Sequence, residues 1–440
     1  MRFLLLNQFY PPDPAPTGQY LHDLAQVLVG RGHEVSVICS RKSYDGRQVY
    51  PQREMLNGVE VCRLWATGFG RRSFAGKLAD YTSFYIGLAL VLLARSKKLD
   101  LIVSLTTPPY LGVVGKIASK RLGCGHALWV MDLYPDVISA HKPTQRHNVL
   151  FKVLMSLARF QQRGSAVTVA LGPTMSERLT RYADDEQTRQ RVKWLPLWSD
   201  PGLTPWPTGD VIPLRVERGW NQEKLVLLYS GNMGLGHRFT EFLETARRLG
   251  SDGPRWVFCG GGKRRAEVES FARQNPSARL EMLDYAPKAR LREHLVSADV
   301  HLMSLDAGWQ GLMVPSKLQA SFAVGKPVLY VGGRESETAK WIEESGGGWV
   351  VGQNDLAGLL AALRQAEDPG ERERRGESAR VYALRHFAKT TISAEFAQWL
   401  ESVGQKVTPS RAAGNPASSP PIVGEMGAAW ESGRPRHVSR

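Results

Sequence analysis

Short unbroken apolar runs recur through the first 200 residues, each followed by a longer stretch with helical spacing. RFLLL (2–6), EVSVIC (34–39), VEVCRL (59–64), DLIVSL (100–105), HALWVM (126–131), AVTVAL (166–171) and VKWLPL (192–197) read as strands. Continuous rather than alternating apolar text is the pattern of a parallel sheet covered by helices on both faces. Helices fit between the runs at 18–31, 78–96, 110–122, 147–163 and 173–182. Residues 201–221 then hold four prolines and three glycines and read as a linker. A second alternation follows, with strands at 225–230, 255–260, 279–283, 299–304, 327–331 and 348–351 and helices between and after them. The expected fold class is α/β, as two parallel-sheet domains, 1–200 and 222–385, facing across a cleft. Such folds bind ligands at the carboxyl ends of their strands. Residues 386–403 read as a closing helix. Residues 404–440, rich in Pro, Gly, Ser and Ala without periodicity, read as a disordered tail.

Composition narrows the function. Four cysteines, Cys39, Cys62, Cys124 and Cys259, form no C-x-x-C pair, which argues against a disulfide framework or structural zinc and for a reducing cytoplasm. The opening MRFLLLNQFYPP breaks at Asn7, too early for a secretory apolar core. The formal net charge of +15 is uneven. Residues 1–200 hold 26 Lys and Arg against 15 Asp and Glu, and the remainder 31 against 27. A basic half can meet nucleic acid, an anionic membrane or only solvent. No zinc finger or RNA-recognition motif is present, so no nucleic-acid partner is expected.

The longest apolar stretch, DYTSFYIGLALVLLAR, has an uncharged centre of 14 residues between Asp80 and Arg95. That is short of the roughly 18 to 20 residues of a spanning helix. It reads as a buried core helix. Alternatively it lies at a membrane interface, with Arg71, Arg72, Lys77, Arg95, Lys97 and Lys98 meeting anionic lipid.

After the first strand, a proline-rich loop leads to Thr17-Gly18 at the start of an amphipathic helix. A glycine there lets backbone N–H groups approach a phosphate, although a plain helix cap has the same appearance. No G-x-G-x-x-G with a following ribose-binding acid is present, which disfavours a nicotinamide cofactor.

The proline/glycine loop, the helix and RGHEVSVIC together resemble the start of the family 4 glycosyltransferases with the GT-B fold of two Rossmann-like domains. LDLIVSLTTPPYLGVVG, WVMDLYPD, LYSGNMGLGHRFTEFLETARRL, SLDAGWQGLMVPSKLQASFAVGKPVLYVGG and IEESGGGWVV follow in the family's order across residues 1–402. They are most similar to the branch acting in bacterial capsular, O-antigen and colanic-acid-type polysaccharide synthesis. The resemblance implies transfer from a nucleotide-sugar, a UDP-sugar foremost, with retention of configuration and without a metal cofactor. It implies a polyprenyl-linked or saccharide acceptor, and a peripheral place at the inner face of the cytoplasmic membrane.

A sugar-diphosphate leaving group gathers negative charge, so its site needs fixed dipoles or cations. Pro315 and Ser316 suit the first turn of a helix, with Ser316 as cap and Lys317 just inside. A lysine there opposes the helix dipole unless an anion docks, which makes Lys317 the leading donor-phosphate residue, against the alternative of a surface lysine. In Gly231–Phe239, Gly231 and Gly234 permit close backbone approach. Asn232 stands where the family carries arginine, and His237 or Arg238 falls near the family's lysine. The family's paired glutamates would fall at Gln310 or Leu312 and at Ala320, and neither place holds a carboxylate. Asp132, directly after a strand, is the candidate catalytic base, and a helix cap is the competing reading. Two rivals keep the architecture: a UDP-sugar 2-epimerase, and a partner subunit without turnover.

Overall fold

The computed structural model describes residues 1–44, 46–69, 74–141 and 148–407. Arg71, Arg72 and all of the expected tail beyond Val407 lie outside the described residues.

In the N-terminal domain, β1 (Arg2–Leu6), β2 (Glu34–Ser40), β3 (Arg53–Leu56) and β4 (Val59–Leu64) precede β5 (Leu101–Leu105), β6 (Gly125–Trp129), β7 (Val167–Ala170) and β8 (Val192–Trp194). They form one sheet in the order β3-β4-β2-β1-β5-β6-β7-β8. All neighbours run parallel except β3 against β4. The seven expected strands are present. The eighth, β3, pairs with β4 through Asn57-Gly58, both with positive φ (49° and 81°). Asn-Gly is the dipeptide a tight two-residue hairpin demands, so the signal is in the amino-acid text. The strand it follows is short and mostly solvent-facing, which leaves no apolar run to notice.

Helices α1 (Pro16–Gly30), α2 (Phe74–Ala94), α3 (Leu111–Leu122), α4 (Asp136–His141), α5 (Val149–Gln162), α6 (Pro173–Thr180) and α7 (Glu186–Gln190) cover this sheet. α1 buries Leu21, Leu24 and Leu28 against the sheet face that carries Phe3, Leu5, Val35 and Val37. α2 and α3 cover the opposite face, with Leu4, Leu6, Ile38 and Ile102. The structure corrects the reading of α2 as a buried core helix. It buries only Phe84, Leu88 and Leu92 deeply and leaves Ile86, Leu90 and Leu93 exposed.

The expected linker is half structured. α8 (Pro213–Glu217) and the fully buried Trp220 belong to the second domain, where Arg215 pairs with Asp299 at 2.9 Å. That domain has β9 (Val226–Ser230), β10 (Arg255–Cys259), β11 (Leu280–Leu283), β12 (Val300–Leu305), β13 (Val328–Gly332) and β14 (Gly348–Val351), ordered β11-β10-β9-β12-β13-β14 and all parallel. Its helices are α9 (Thr240–Leu249), α10 (Arg265–Gln274), α11 (Leu291–Val296), α12 (Lys317–Ala323), α13 (Glu337–Ser345), α14 (Leu356–Glu367) and α15 (Pro369–His386).

The closing helix, α16 (Lys389–Val407), runs past the expected end at 403 and returns to the first domain, packing on α1, β5 and β6. Phe396 meets Trp129 edge-on at 4.7 Å, Glu401 pairs with Arg31 and His33, and Lys389 pairs with Asp23. Gly404, placed in the tail by composition, is buried where a Cβ would strike the Met1 side chain.

Candidate active site

Among its parallel strands each sheet reverses its order once, between β1 and β5 in the first domain and between β9 and β12 in the second. The crevice at the carboxyl end of such a switch point is where open α/β sheets place ligands. In the second domain, two glycine turns and one helix start meet there. Gly231 leaves β9 with φ +127° and donates its N–H to the Cys259 carbonyl at 2.8 Å. Met233 donates to the Gly261 carbonyl, and Arg264 to the Met233 carbonyl. Gly260 and Gly262 also have positive φ, and a Cβ on Gly260 would lie 2.2 Å from the Gly231 oxygen. Only glycine allows the two turns this approach.

Lys317 begins α12, in the chain that follows β12. Its stem lies against Gly231, where a Cβ would come within 2.8 Å of Cε. The ammonium sits 3.7 Å from the centre of the Tyr229 ring, donates to the Tyr229 hydroxyl, and reaches the Asn232 carbonyl at 3.4 Å. The same hydroxyl donates to the Asn232 carbonyl at 2.8 Å. Among the described residues no carboxylate pairs with Lys317. Burial pushes its pKa well below the ordinary lysine value, with no acid to oppose the shift. A lysine held without a counter-charge at a strand-end switch point can take an anion, which would hold it in its charged form.

The other sequence candidates divide. Asn232 and Gly231 are part of this seat, and Gly234 accepts the His237 N–H in the same turn. Pro315 is buried. Ser316 holds the N-cap position, but its hydroxyl makes no capping hydrogen bond, which corrects that expectation. Gly18 lies inside α1, where a Cβ would meet the Phe9 carbonyl oxygen at 2.9 Å. Its N–H is already given to the Ala15 carbonyl, so its role here is close packing of helix on loop.

Neither residue expected to be the second cation supplies one. His237 is buried and donates Nδ1–H to the Ser304 carbonyl at 2.7 Å. Burial and the neighbouring Lys317 charge lower its pKa to about 3, so it is neutral. Arg238 is drawn to the buried Glu241 carboxylate at 2.8 Å and to Asn354, because a buried acid requires a paired charge. Arg264 fits better. Its charge acts on His237 beside that of Lys317, and its buried Nη1 makes no hydrogen bond and lies 3.8 Å from the Glu267 carboxylate, a looser pairing than that of Arg238. Of the places where the family carries glutamate, Gln310 abuts Gly333 and Ala320 packs on the cluster of Leu203 and Leu295.

Asp132 belongs to the first domain, where its backbone meets the chain that leads to α12. It forms an isolated antiparallel bridge with Met313, four residues before Lys317, while Leu133 donates to the Leu312 carbonyl at 2.9 Å. The two domains therefore join beside the candidate base. The Asp132 N–H donates to the Thr106 hydroxyl at 3.2 Å. Burial raises the Asp132 carboxyl to about 6, and the positive charge of Lys77 restrains the rise. A carboxylate titrating near neutrality at a strand end suits proton transfer from a hydroxyl. Asp136 instead accepts from the Tyr182 hydroxyl. Among the described residues no three His, Cys, Asp or Glu side chains stand together as metal ligands.

Comparison with known proteins agrees with this geometry. Residues 17–201 match the glycosyl transferase 4-like domain. The probable glycosyltransferase WbjE of Pseudomonas aeruginosa is 25% identical over 273 residues, covering 62% of this chain and 67% of that protein. The putative colanic acid biosynthesis glycosyl transferase WcaI of Escherichia coli is 23% identical over 407 residues, covering 90% and 98%. The crystal structure of HepE from Anabaena, in complex with UDP and glucose, superposes with a TM-score of 0.65 at 16% identity, over 91% of this chain and 100% of HepE. A family match over almost the whole first domain, and relatives aligned into the second, support a glycosyltransferase of family 4 with the GT-B fold.

Proposed function

We propose that this glycosyltransferase binds a UDP-sugar in the second domain and moves its glycosyl group, with retention of configuration, to a polyprenyl-linked or polysaccharide-precursor acceptor held by the first. The observation that carries the reading is the Lys317 ammonium, uncompensated by any carboxylate among the described residues, at the junction of two glycine turns. Charge develops on the departing diphosphate as the glycosidic bond breaks. Lys317, with Arg264 nearby, would meet that charge in a site partly cut off from water, where a fixed cation acts strongly. No step in this account calls on a metal. Asp132, across the cleft, would take the proton of the acceptor hydroxyl. The presence of UDP and glucose in HepE favours UDP as the nucleotide, and the relation to WcaI favours a polysaccharide precursor as acceptor.

A thermal-shift comparison of UDP-, GDP- and dTDP-sugars tests the donor, because a ligand of the native state raises apparent stability with the logarithm of its saturation. The UDP-sugars are expected to give the largest shift. Equal shifts, or none, would refute the assignment. The anomeric configuration of the product, read by NMR, tests retention separately.

A further inference from the structure

The second domain holds a cavity of about 490 Å³ at the end of its sheet opposite to Lys317. Asp299 and Pro327, which stand just before β12 and β13, both line it. Three segments enclose it: residues 205–208 of the chain that joins the domains, residues 324–327 between α12 and β13, and the first turns of α15. Backbone sets these walls. A Cβ on Gly376 of α15 would strike the Gly325 carbonyl oxygen at 2.3 Å, and one on Gly325 would meet Pro205 Cγ at 3.3 Å. A largely preformed cavity of about 300 to 1,000 Å³ is the usual form of a small-molecule site.

Two cations on this wall lack a counter-charge of their own. The Lys326 ammonium makes no hydrogen bond or ion pair among the described residues. Arg372 donates to the Ala366 and Glu367 carbonyls at 2.6 and 2.9 Å, and pairs with no carboxylate among the described residues. Burial lowers the Lys326 pKa, Asp299 opposes the shift, and the charges of Arg215 and Arg372 add to it. Asp299 is already committed, to Arg215 at 2.9 Å and to the Val226 N–H at 2.7 Å. Glu373 and Glu377 are exposed and pair with neither cation, and Arg374 is paired with Glu371. Neighbouring like charges repel, and an anion held by both relieves the repulsion. A phosphate suits the pair, since arginine and lysine are its common partners. The rest of the wall is flat and apolar, from Pro205, Pro327, Pro369 and Trp206, whose ring also carries Arg292 at 4.9 Å. A bare phosphate leaves that wall and most of the volume unused, whereas a ring-bearing body fills them.

We infer that this cavity is a second ligand site, which takes a small phosphate monoester of the sugar-phosphate class, its phosphate held by Lys326 and Arg372 and its ring by the tryptophan and proline wall. Lys317 begins α12 and Lys326 follows its end, with seven helical residues, about 10 Å, in between. The two sites can therefore be filled together, and this one does not rest on the donor reading.

Calorimetric titration of the full chain with glucose 6-phosphate and with inorganic phosphate, each with and without saturating UDP, tests the site. Glucose 6-phosphate is expected to bind in the millimolar range or tighter in both conditions, and more tightly than inorganic phosphate. Lys326→Met should weaken it about tenfold or more through loss of a charge-assisted contact, and Lys326→Arg should recover most of the affinity. Neither variant breaks a side-chain hydrogen bond or ion pair among the described residues, so melting temperature and UDP affinity should hold. No binding by wild type, undiminished binding by Lys326→Met, or displacement by UDP would overturn the site. Equal affinity for inorganic phosphate and its sugar ester would mean an adventitious ion only, and would overturn the ligand class. The titration without UDP keeps this test separate from that of the donor.

Discussion

Replacing Asp132 by Asn should make the protein more stable and much less active. The carboxyl titrates at about 6 in the folded chain, against an ordinary aspartate value of 3.8. About two pKa units correspond to about 3 kcal/mol of preference for the protonated form. Asp132 keeps some exposure, so about 1 to 3 kcal/mol is the working range. The sign follows from proton counting. Between the unfolded and folded pKa the native state binds more protons, so this residue's contribution to stability falls as pH rises from about 4 to about 6. Above that window the wild type keeps a buried carboxylate ionised at the full cost, which the amide variant avoids. Urea denaturation of both proteins from pH 4 to 7.5 measures the difference. It should be near zero at the acid end and grow to the stated range at neutrality. Transferase turnover should fall at least a hundredfold with loss of the base, in line with general-base contributions of about 10² to 10⁴. A stability difference that does not change with pH would refute the burial argument, and full turnover in the variant would refute the catalytic role.

Two further substitutions probe the same machinery. Lys77→Gln removes the charge that restrains the Asp132 shift, so the acidic limb of the kcat/KM profile should move upward from about pH 6; a limb that stays or moves down contradicts the coupling. Tyr229→Phe leaves the Lys317 ammonium and the Asn232 carbonyl without their shared hydroxyl, and should weaken UDP binding in calorimetry by about tenfold, the worth of one such hydrogen bond.

Much of this architecture is legible in the amino-acid text because parallel strands buried on both faces spell unbroken apolar runs. Their neighbours in space are set by the handedness of the crossovers. Lys317 is also legible, since a lysine in the first turn of a helix lacks a local reason to be there. What the text hides are meetings between distant segments. Tyr229 lies 88 residues before the ammonium it holds. Arg264 sits in Gly-Gly-Gly-Lys-Arg-Arg, which reads as a tight turn, and only the interlocking of that turn with Gly231–Met233 brings its charge to the seat. Arg238 misleads for the opposite reason. It stands in the right register for a phosphate contact, but Glu241, three residues on, is buried and captures it. The return of α16 to the first domain is likewise invisible, because its apolar spacing does not say which sheet it covers.

The proposed nucleotide-diphosphate seat rests on Lys317, which no carboxylate among the described residues compensates. Calorimetric titration of UDP into wild type and Lys317→Met tests it most directly, since methionine keeps most of the stem that packs on Gly231 and removes only the charge. Affinity is expected to fall by about 10- to 100-fold, the worth of a charge-assisted contact of about 1.5 to 3 kcal/mol. Wild-type binding is expected to take up protons from buffer, because the diphosphate restores the depressed lysine to its charged form. Equal affinity for the two proteins, with no proton uptake in wild type, would contradict it.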